Sequence, residues 1–370
     1  MNKEEYMKMA LELALKAEGH TSPNPMVGCV VVRDGNILTT GYHHQCGMYH
    51  AEREALTSYD GDVSGADMYV TLEPCCHHGK TPPCTDIIIE RGIKRVFVGS
   101  MDNNPKVAGN GVRILREHGI EVETGILKDE CDKANEVFFH GMDHKRPFVA
   151  MKYAMTIDGK IACETGDSQW VSCEKSREHV QNLRKKYRGI MAGIGTVLAD
   201  NPMLTVRIPG EEGFHTRIIC DSNLRIPEDS NIVKTADKFE TIIACKESVK
   251  DDKNISDKIK KISDSGVKLL FVGEDDNGHI KLSELMDKLY LHGVDGILLE
   301  GGGTLNASML KAGLVRKAYI FIAPKLVGGK DAKSPVEGEG IKLMKDAAVL
   351  QDITIDKIEN DILITGYFNQ

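Results

Sequence analysis

Three residues that can bind a metal ion are the strongest constraint on how this 370-residue chain folds. His50 lies in the sequence HAE at 50–52, and Cys75 and Cys84 lie in EPCCHHGKTPPC at 73–84. One imidazole and two thiolates are ligands typical of zinc, and three protein ligands leave a fourth position for water, as in catalytic sites. We therefore expect a fold that brings these three side chains together around one zinc ion.

Glu52 is the predicted catalytic residue of this site. Zinc lowers the pKa of a bound water towards about 7, and a carboxylate two residues from a ligand is placed to carry that water's proton to a departing nitrogen. An H-x-E element followed by a P-C…C pair is typical of zinc deaminases, in which the glutamate is not a ligand. The usual spacing is C-x-x-C, whereas eight residues separate Cys75 from Cys84. Cys76 is an alternative ligand, but adjacent cysteines cannot readily both bind one ion, so we predict Cys75.

Length and patterning predict two α/β domains. A chain of this size exceeds a single core, and its 41% apolar and 28% charged residues are typical of a globular protein. Strand-like and helix-like segments alternate from VGCVVV at 27–32 onwards, which predicts a layered domain with a mixed sheet. The alternation begins again after Pro147. We predict domains at 1–145 and 146–370.

Charge and termini argue against several classes of protein. With a net charge of −8, the protein lacks the broad positively charged surface that is typical of nucleic-acid binders. The first 19 residues lack the features of a signal peptide, and no apolar run has the length of a membrane span. Ten cysteines in such a chain favour metal ligands or free thiols over disulfides. We expect a cytoplasmic protein with no nucleic-acid or membrane partner.

Two glycine clusters mark the second half, GIGTVLADNP at 193–202 and LEGGGTLNASML at 299–310. Clustered glycines before a helix let backbone N–H groups approach phosphate oxygens, although such a cluster alone more often marks a tight turn. No G-x-G-x-x-G follows the first strand, so a Rossmann domain is not indicated.

Taken together, the motifs resemble the bifunctional deaminase–reductase family of riboflavin biosynthesis, RibD. The deaminase half is matched by SPNPMVG at 22–28, G-Y-H at 41–43, HAE and PCCHHGKTPPC. The insert GKTPPC separates that family from cytidine deaminases and tRNA adenosine deaminases. The reductase half is matched by KYAMTIDGKIA at 152–162, DSQWVS at 167–172, GIGTVLADNPMLTVR at 193–207 and LEGGGTLNASML. The resemblance implies a cytidine-deaminase-like α/β/α domain with a mixed sheet, then a dihydrofolate-reductase-like α/β domain that uses NADPH, in a homodimer or homotetramer.

The resemblance also implies functional residues. In the first half the substrate positions are Asn24, His43, His77 and Lys80. In the second half the cofactor positions are Ala154, Trp170, Thr196, Asp200, Ser222, Gly301, Gly302, Gly303 and Thr304. The substrate positions there are Lys152, Ser168, Arg184, Leu204, Arg207 and Glu300. Lys152 and Asp200 are the polar candidates for the hydride-transfer site.

The implied chemistry is two consecutive reactions on a phosphoribosylated diaminopyrimidinone. The ring loses an exocyclic amine as ammonia, and NADPH then reduces the opened ribose to a ribityl chain. Two other interpretations predict different features. A nucleic-acid deaminase would need a basic strand-binding surface and C-x-x-C spacing. A structural zinc module would need a fourth ligand, for which His77 or His78 is the candidate, and would leave Glu52 without a role.

Overall fold

The computed structural model describes residues 1–77, 82–104, 107–211 and 215–369. The chain divides into two compact units, Met1–Lys145 and Arg146–Gln370. Each unit has its own sheet, of five and nine strands respectively.

The first unit contains five strands and six helices in its described part. The strands are Gly28–Arg33 (β1), Asn36–Tyr42 (β2), Asp67–Leu72 (β3), Arg95–Ser100 (β4) and Glu121–Thr124 (β5). The helices are Lys3–Leu15 (α1), Ala51–Thr57 (α2), Cys84–Glu90 (α3), Asn110–Glu117 (α4), Lys128–Ala134 (α5) and Glu136–His144 (α6). The sequence patterns predicted the first four helices but not α5 and α6.

The five-stranded sheet has the order β2-β1-β3-β4-β5. β1 runs antiparallel to β2 and β3, whereas β3, β4 and β5 are parallel, so the sheet is mixed as predicted. Asp34 and Gly35 join β1 to β2 with φ angles of 53° and 81°, which is the backbone that Asp-Gly favours in a two-residue hairpin. Because β3 and β4 are parallel, their carboxyl ends lie at one edge, from which the loops at 73–77 and 101–104 leave.

Two hydrophobic layers enclose this sheet. One face carries Val31, Val70 and Val98 and packs against apolar side chains of α2, α3 and α4. The other face carries Val30 and Phe97 and packs against α1 and α5. Alternate residues of one strand therefore serve opposite layers, which gives the predicted α/β/α arrangement.

The second unit begins with β6 and contains nine strands and seven α-helices in its described part. The strands are Phe148–Thr156 (β6), Gly189–Gly193 (β7), Thr216–Cys220 (β8), Thr241–Lys246 (β9), Lys268–Val272 (β10), Gly296–Leu299 (β11), Lys317–Ala323 (β12), Leu350–Ile358 (β13) and Asp361–Phe368 (β14). The helices are Glu174–Lys186 (α7), Ile194–Asp200 (α8), Asn231–Lys234 (α9), Glu247–Lys250 (α10), Ser256–Asp264 (α11), Leu282–Leu291 (α12) and Gly303–Lys311 (α13).

The nine-stranded sheet has the order β10-β9-β8-β7-β11-β6-β12-β14-β13. The seven strands from β10 to β12 in that order are parallel, and β14 and β13 form an antiparallel hairpin at one edge. In parallel sheets of this kind ligands bind at the carboxyl ends of the strands, where the chain direction across the sheet changes. Within the described residues, no helix has both the length and the apolar character needed to cross a membrane.

Candidate active sites

The three predicted zinc ligands converge at the start of two helices. His50 is the residue that precedes α2, Cys84 is the first residue of α3, and Cys75 lies in the loop after β3. The Nδ1 atom of His50 lies 3.4 Å from the Cys75 sulfur and 3.5 Å from the Cys84 sulfur. Backbone N–H groups of Cys84 and Thr85 donate to the Cys75 carbonyl at 3.0 and 3.2 Å, which fixes the loop against α3.

The electrostatics of this cluster suit a cation. Cys84 donates a hydrogen bond to the Cys75 sulfur, and together with the His50 imidazole this lowers the pKa of the Cys75 thiol to about 4. The same hydrogen bond, together with burial, raises the pKa of Cys84. A thiolate and an imidazole with ligand atoms within 4.8 Å of one another fit the donor set of zinc. Of the His, Cys, Asp and Glu side chains that the structure describes, these three form the one such group, and Cys76 is outside it.

Glu52 lies in the first turn of α2 and is 3% exposed. Burial raises the pKa of its carboxyl to about 7, and the charge of Cys75 adds to that effect. Its side chain also takes part in a hydrogen bond with Cys84, so the carboxyl lies beside the metal ligands without belonging to the group of three. A carboxyl that can exchange a proton near neutral pH is suited to proton transfer.

A cavity of about 380 Å³ opens beside this cluster, and Glu52, His50 and Cys75 line it. The predicted substrate residues Asn24 and His43 line it as well. His43 donates its Nδ1 proton to the carbonyl of Tyr49 at 2.9 Å and accepts the Asn24 side-chain amide at Nε2, at 3.1 Å. Burial lowers the pKa of His43, which agrees with a neutral ring held in one tautomer.

His77 also lines the cavity, and its buried Nδ1 has no hydrogen-bond partner among the described residues. An orphaned ring nitrogen in a cavity wall is a group that a ligand can satisfy. Lys80, the fourth predicted substrate residue, lies outside the described residues, as does His78. His44, which the G-x-H spacing left without a role, pairs with Glu54 at 2.6 Å.

Sequence reasoning missed the loop after β4, which supplies Asp102 and Asn104 to the cavity wall. Burial raises the pKa of Asp102 to about 6. The available signal was the polar sequence SMDNN at the carboxyl end of a predicted parallel strand, next to the strand that leads to Cys75.

Glu73 was also missed, and it joins the two loops that form the site. Its carboxylate is 3% exposed and accepts the N–H groups of Gly109 at 3.0 Å and Val112 at 3.1 Å, with a longer contact of 3.4 Å from the N–H of Asp102. A Cβ on Gly111 would lie 2.1 Å from the carbonyl oxygen of Pro74, so only glycine permits this approach.

In the second unit six of the nine predicted cofactor residues lie near the carboxyl ends of four adjacent strands. Ala154 is near the end of β6, the three glycines follow β11, Thr196 follows β7 and Ser222 follows β8. Residues up to 150 positions apart are thus brought to one edge of the sheet.

At two of the three glycines, Gly301 and Gly303, neighbouring atoms leave no room for a side chain. A Cβ on Gly301 would lie 2.7 Å from Asn306 Oδ1, and one on Gly303 would lie 2.6 Å from the Ser334 carbonyl oxygen. Gly302 precedes α13 without a side-chain cap, and its Cβ position lies 3.6 Å from Thr196 Oγ1. Uncapped N–H groups at the start of a nine-residue helix fit a dinucleotide diphosphate.

Three predicted substrate residues form a buried charge cluster. Glu300 accepts Nε and Nη2 of Arg184 at 2.5 and 3.0 Å, and Lys152 Nζ lies 3.4 Å from the same carboxylate. Burial raises the pKa of Glu300, but the positive charges of Arg184 and Lys152 outweigh that effect and hold it at about 2. Arg184 also donates from Nη1 to the Thr205 carbonyl at 2.9 Å, so all three nitrogens of its guanidinium already have hydrogen-bond partners within the protein.

The other predicted residues differ in exposure. Leu204 is buried with a φ of 48°, whereas the neighbouring Arg207 is exposed. Trp170 is 59% exposed beneath the guanidinium of Arg177, so it is not the core residue that a lone tryptophan usually is. Asp200 and Thr304 are exposed and Ser168 is half-buried.

These two sites define a two-domain enzyme that joins a zinc-dependent deaminase to a nucleotide-dependent reductase. The family model of the RibD C-terminal domain matches residues 147–364, and that of the cytidine and deoxycytidylate deaminase zinc-binding region matches residues 1–100. The chain belongs to the RibD family of riboflavin biosynthesis.

Relatives match over nearly the full chain. The riboflavin biosynthesis protein RibD of Actinobacillus pleuropneumoniae is 50% identical over 97% of this chain and 94% of its own length. That of Escherichia coli is 36% identical over 98% and 99%. The solved structure of Acinetobacter baumannii RibD, form 1, superposes with a TM-score of 0.88 at 31% identity, covering 100% of this chain and 99% of that one. A diaminohydroxyphosphoribosylaminopyrimidine deaminase/5-amino-6-(5-phosphoribosylamino)uracil reductase from Thermotoga maritima gives 0.87 at 35% identity, with 99% of each chain covered.

The chain is therefore a bifunctional deaminase and reductase of riboflavin biosynthesis, with zinc and NADPH as cofactors. This confirms the function, cofactors and two-domain α/β fold class expected from the sequence.

Proposed function

We propose that residues 1–145 deaminate 2,5-diamino-6-(5-phosphoribosylamino)pyrimidin-4-one and that residues 146–370 reduce the ribosyl group of the product to ribityl. Both activities are the ones named for the relative from Thermotoga maritima, which is a deaminase and a reductase on one chain. The observation that carries the proposal is the cluster of His50, Cys75 and Cys84 beside the buried carboxyl of Glu52, open to a single cavity. The domain limits are supported by the two compact units of the chain.

His50, Cys75 and Cys84 would hold the zinc ion of the first reaction, and the ion would supply an activated water. Glu52 accepts a proton from that water and delivers it to the exocyclic nitrogen. The oxygen adds to the ring carbon, the C–N bond breaks and ammonia leaves. The second proton of the water ends on the ring nitrogen, so a carbonyl remains. Asn24 and His43 form a fixed pair on the cavity wall, and the unpartnered Nδ1 of His77 offers a contact to the substrate.

In the second reaction the residues at the carboxyl ends of β6, β11, β7 and β8 would hold NADPH, which would supply the hydride for C1 of the opened sugar. A proton must reach the neighbouring nitrogen, and we assign its delivery to Lys152, whose ammonium Glu300 holds at the buried carboxyl end of the sheet. Arg184 supports Glu300, while the exposed Arg207 is the better placed of the two arginines to bind the substrate phosphate. Ser168 and Leu204 complete the proposed substrate contacts.

Incubation with the diaminopyrimidinone phosphate, with and without NADPH, tests this assignment directly. Mass analysis is expected to show replacement of one amine by oxygen without NADPH, and the further gain of two hydrogens when NADPH is present. An unchanged substrate under both conditions would contradict the proposal, and reduction without prior deamination would contradict the order of the steps.

We also infer that the protein works as a homo-oligomer in the cytoplasm. The edge hairpin β13–β14 exposes apolar side chains, including Ile353 at 53% and Ile355 at 68%, which is typical of a surface that a second subunit covers. All ten cysteines are free, which suits a reducing compartment. Light scattering of the purified protein and cell fractionation test the two inferences, and a monomeric species at micromolar concentration would contradict the first.

A further inference from the structure

A short segment without regular secondary structure, residues 23–27, forms part of the wall of the deaminase cavity. Four of its five residues line the cavity, and the fifth, Met26, is buried. Two of the four are prolines, which have no N–H to donate, and the pairing of β1 with β2 begins only at Gly28. The sheet therefore holds only the end of this segment, where the Val27 carbonyl accepts the N–H of His43 at 2.9 Å.

Asn135 holds the middle of segment 23–27 from 109 residues away along the chain. Its Oδ1 accepts the N–H of Met26 at 2.8 Å, and its Nδ2 donates to the Met26 carbonyl at 2.9 Å. Both bonds are buried, and Asn135 is 3% exposed. A residue that exchanges both of its backbone groups with one partner is typical of a hydrogen-bonded pair in an antiparallel sheet. The Asn135 amide therefore takes the place of a neighbouring strand.

This use of the side chain leaves helix α6 without a side-chain cap. Asn135 is the residue that precedes α6, a position at which an asparagine normally accepts an N–H from the first turn of the helix. That bond is not made, and the amide is directed to Met26 instead. Phe138, in the first turn of α6, also lines the cavity. Asn135 therefore joins two parts of the cavity wall, segment 23–27 and α6.

We propose that Asn135 is a positioning residue of the deaminase, which keeps Asn24 against His43 in the arrangement that binds the substrate. Asn24 lies two residues before Met26, and its side-chain amide donates to His43 Nε2 at 3.1 Å. The N–H of Asn24 donates to the Thr21 carbonyl at 2.7 Å, which fixes the start of the segment, so Asn135 supplies the constraint between its two ends. This inference rests on the proposed deaminase site and deepens it.

Steady-state deamination of the diaminopyrimidinone phosphate by two variants of the full chain tests the proposal. Asn135→Leu keeps the bulk of the side chain and loses both bonds to Met26, whereas Asn135→Ala also leaves a cavity. Because two buried hydrogen bonds no longer fix the wall, both variants are expected to raise the deaminase KM about 5- to 30-fold. The kcat, the bound zinc and the reductase activity of the second unit are expected to stay at the wild-type level.

A double-mutant cycle with Asn24→Ala follows the effect to its target. Because Asn135 acts by placing Asn24, the variant that combines Asn135→Leu with Asn24→Ala is expected to have the kcat/KM of Asn24→Ala alone. Tyr6→Phe is the matched control. Tyr6 is also 3% exposed, and its hydroxyl donates to the Gly35 carbonyl at 3.0 Å, in the turn between β1 and β2. Its loss is expected to leave the deaminase KM unchanged.

A wild-type KM in Asn135→Leu would overturn the proposal, because the side chain would then only fill space. So would losses that simply add in the double variant. A loss of zinc and of kcat in both single variants would also overturn it, since Asn135 would then hold the domain as a whole. An inactive wild-type protein would instead contradict the proposed function, and this inference with it.

Discussion

The two halves of the chain differ in how far apart the residues of their sites lie. In the first unit three ligand atoms lie within 4.8 Å of one another, and all come from residues 50–84. In the second unit the proposed nucleotide site extends along four strand ends, and its charge cluster joins Lys152, Arg184 and Glu300 from three distant segments. A metal ion requires several ligand atoms around one point, whereas a dinucleotide is long and requires contacts spread along the edge of a sheet.

The difference also appears in how charge is handled. The deaminase cluster holds a thiolate whose charge a metal cation neutralises, so its electrostatics depend on a bound ion. The reductase cluster neutralises itself, because one carboxylate faces an arginine and a lysine. We therefore expect substitutions in the first unit to affect activity with little effect on folding, and substitutions in the charge cluster to affect both.

The largest expected effect is that of Glu52→Gln. Without a proton carrier the deamination rate is expected to fall by about 10²–10⁴-fold, while bound zinc stays at the wild-type level and reduction of supplied deaminated product is unchanged. The measurements are ammonia release, metal analysis and NADPH absorbance. Glu54→Gln, two residues along the same helix, is the control and should retain activity, since its amide oxygen can still accept one of the two contacts now made to His44 and Tyr42. Full deaminase activity in Glu52→Gln would remove the catalytic interpretation of the site.

Glu300→Gln is expected to have the next largest effect and to act on the other half. The substitution leaves the buried charges of Arg184 and Lys152 without a counter-charge, which costs about 3–5 kcal/mol of unfolding free energy in comparable clusters. Urea unfolding followed by the emission of Trp170, the one tryptophan of the chain, reports on this unit alone. Glu211→Gln, which breaks the less buried pair with Lys185, should cost less. Equal costs for the two variants would contradict the role of the cluster.

Acid should weaken the second unit through the same carboxylate. The pKa of Glu300 is about 2 in the folded protein, against 4.5 for an unperturbed glutamate, so its ionised form is favoured by folding. That stabilisation is present above about pH 4.5 and is lost as the pH falls towards 2. Trp170-detected stability measured across this range should decline more steeply in the wild type than in Glu300→Gln. Parallel curves would show that the carboxylate is not held in its charged form.

The smallest expected effect is that of Glu73→Gln. One amide oxygen cannot replace a carboxylate that accepts from Gly109 and Val112 on separate oxygens, so the loop carrying Asp102 should shift. We expect the deaminase KM to rise about 5- to 30-fold, which corresponds to about 1–2 kcal/mol of substrate binding free energy, with zinc content and reductase activity unchanged. Glu117→Gln, which removes an exposed pair on α4, is the control and should change nothing. A loss of kcat with unchanged KM would place Glu73 in the chemistry itself.

The sequence predicted the local elements better than the assembled edges. The Asp-Gly hairpin, the helix after His50 and the strand before Cys75 all form where the pattern placed them. α5 and α6 were not predicted, because their apolar residues lack a continuous helical stripe and their stability depends on packing against the sheet. Glu73 was not identified as a site residue, because the N–H groups that it accepts belong to Gly109 and Val112, more than 30 residues away along the chain. Asp102 had a local signal at the end of its strand, but only the order of the strands in space brings that end beside Cys75.

The sequence by itself identified the family and predicted the zinc ligands and the proton carrier, because metal binding requires particular side chains at short spacings and these form a readable motif. Only the tertiary structure decided that Glu300 holds Arg184 and Lys152 and that Glu73 joins two loops. The physical reason is that a parallel sheet brings its carboxyl ends to one edge in the order of the strands in space, and that order differs from their order along the chain.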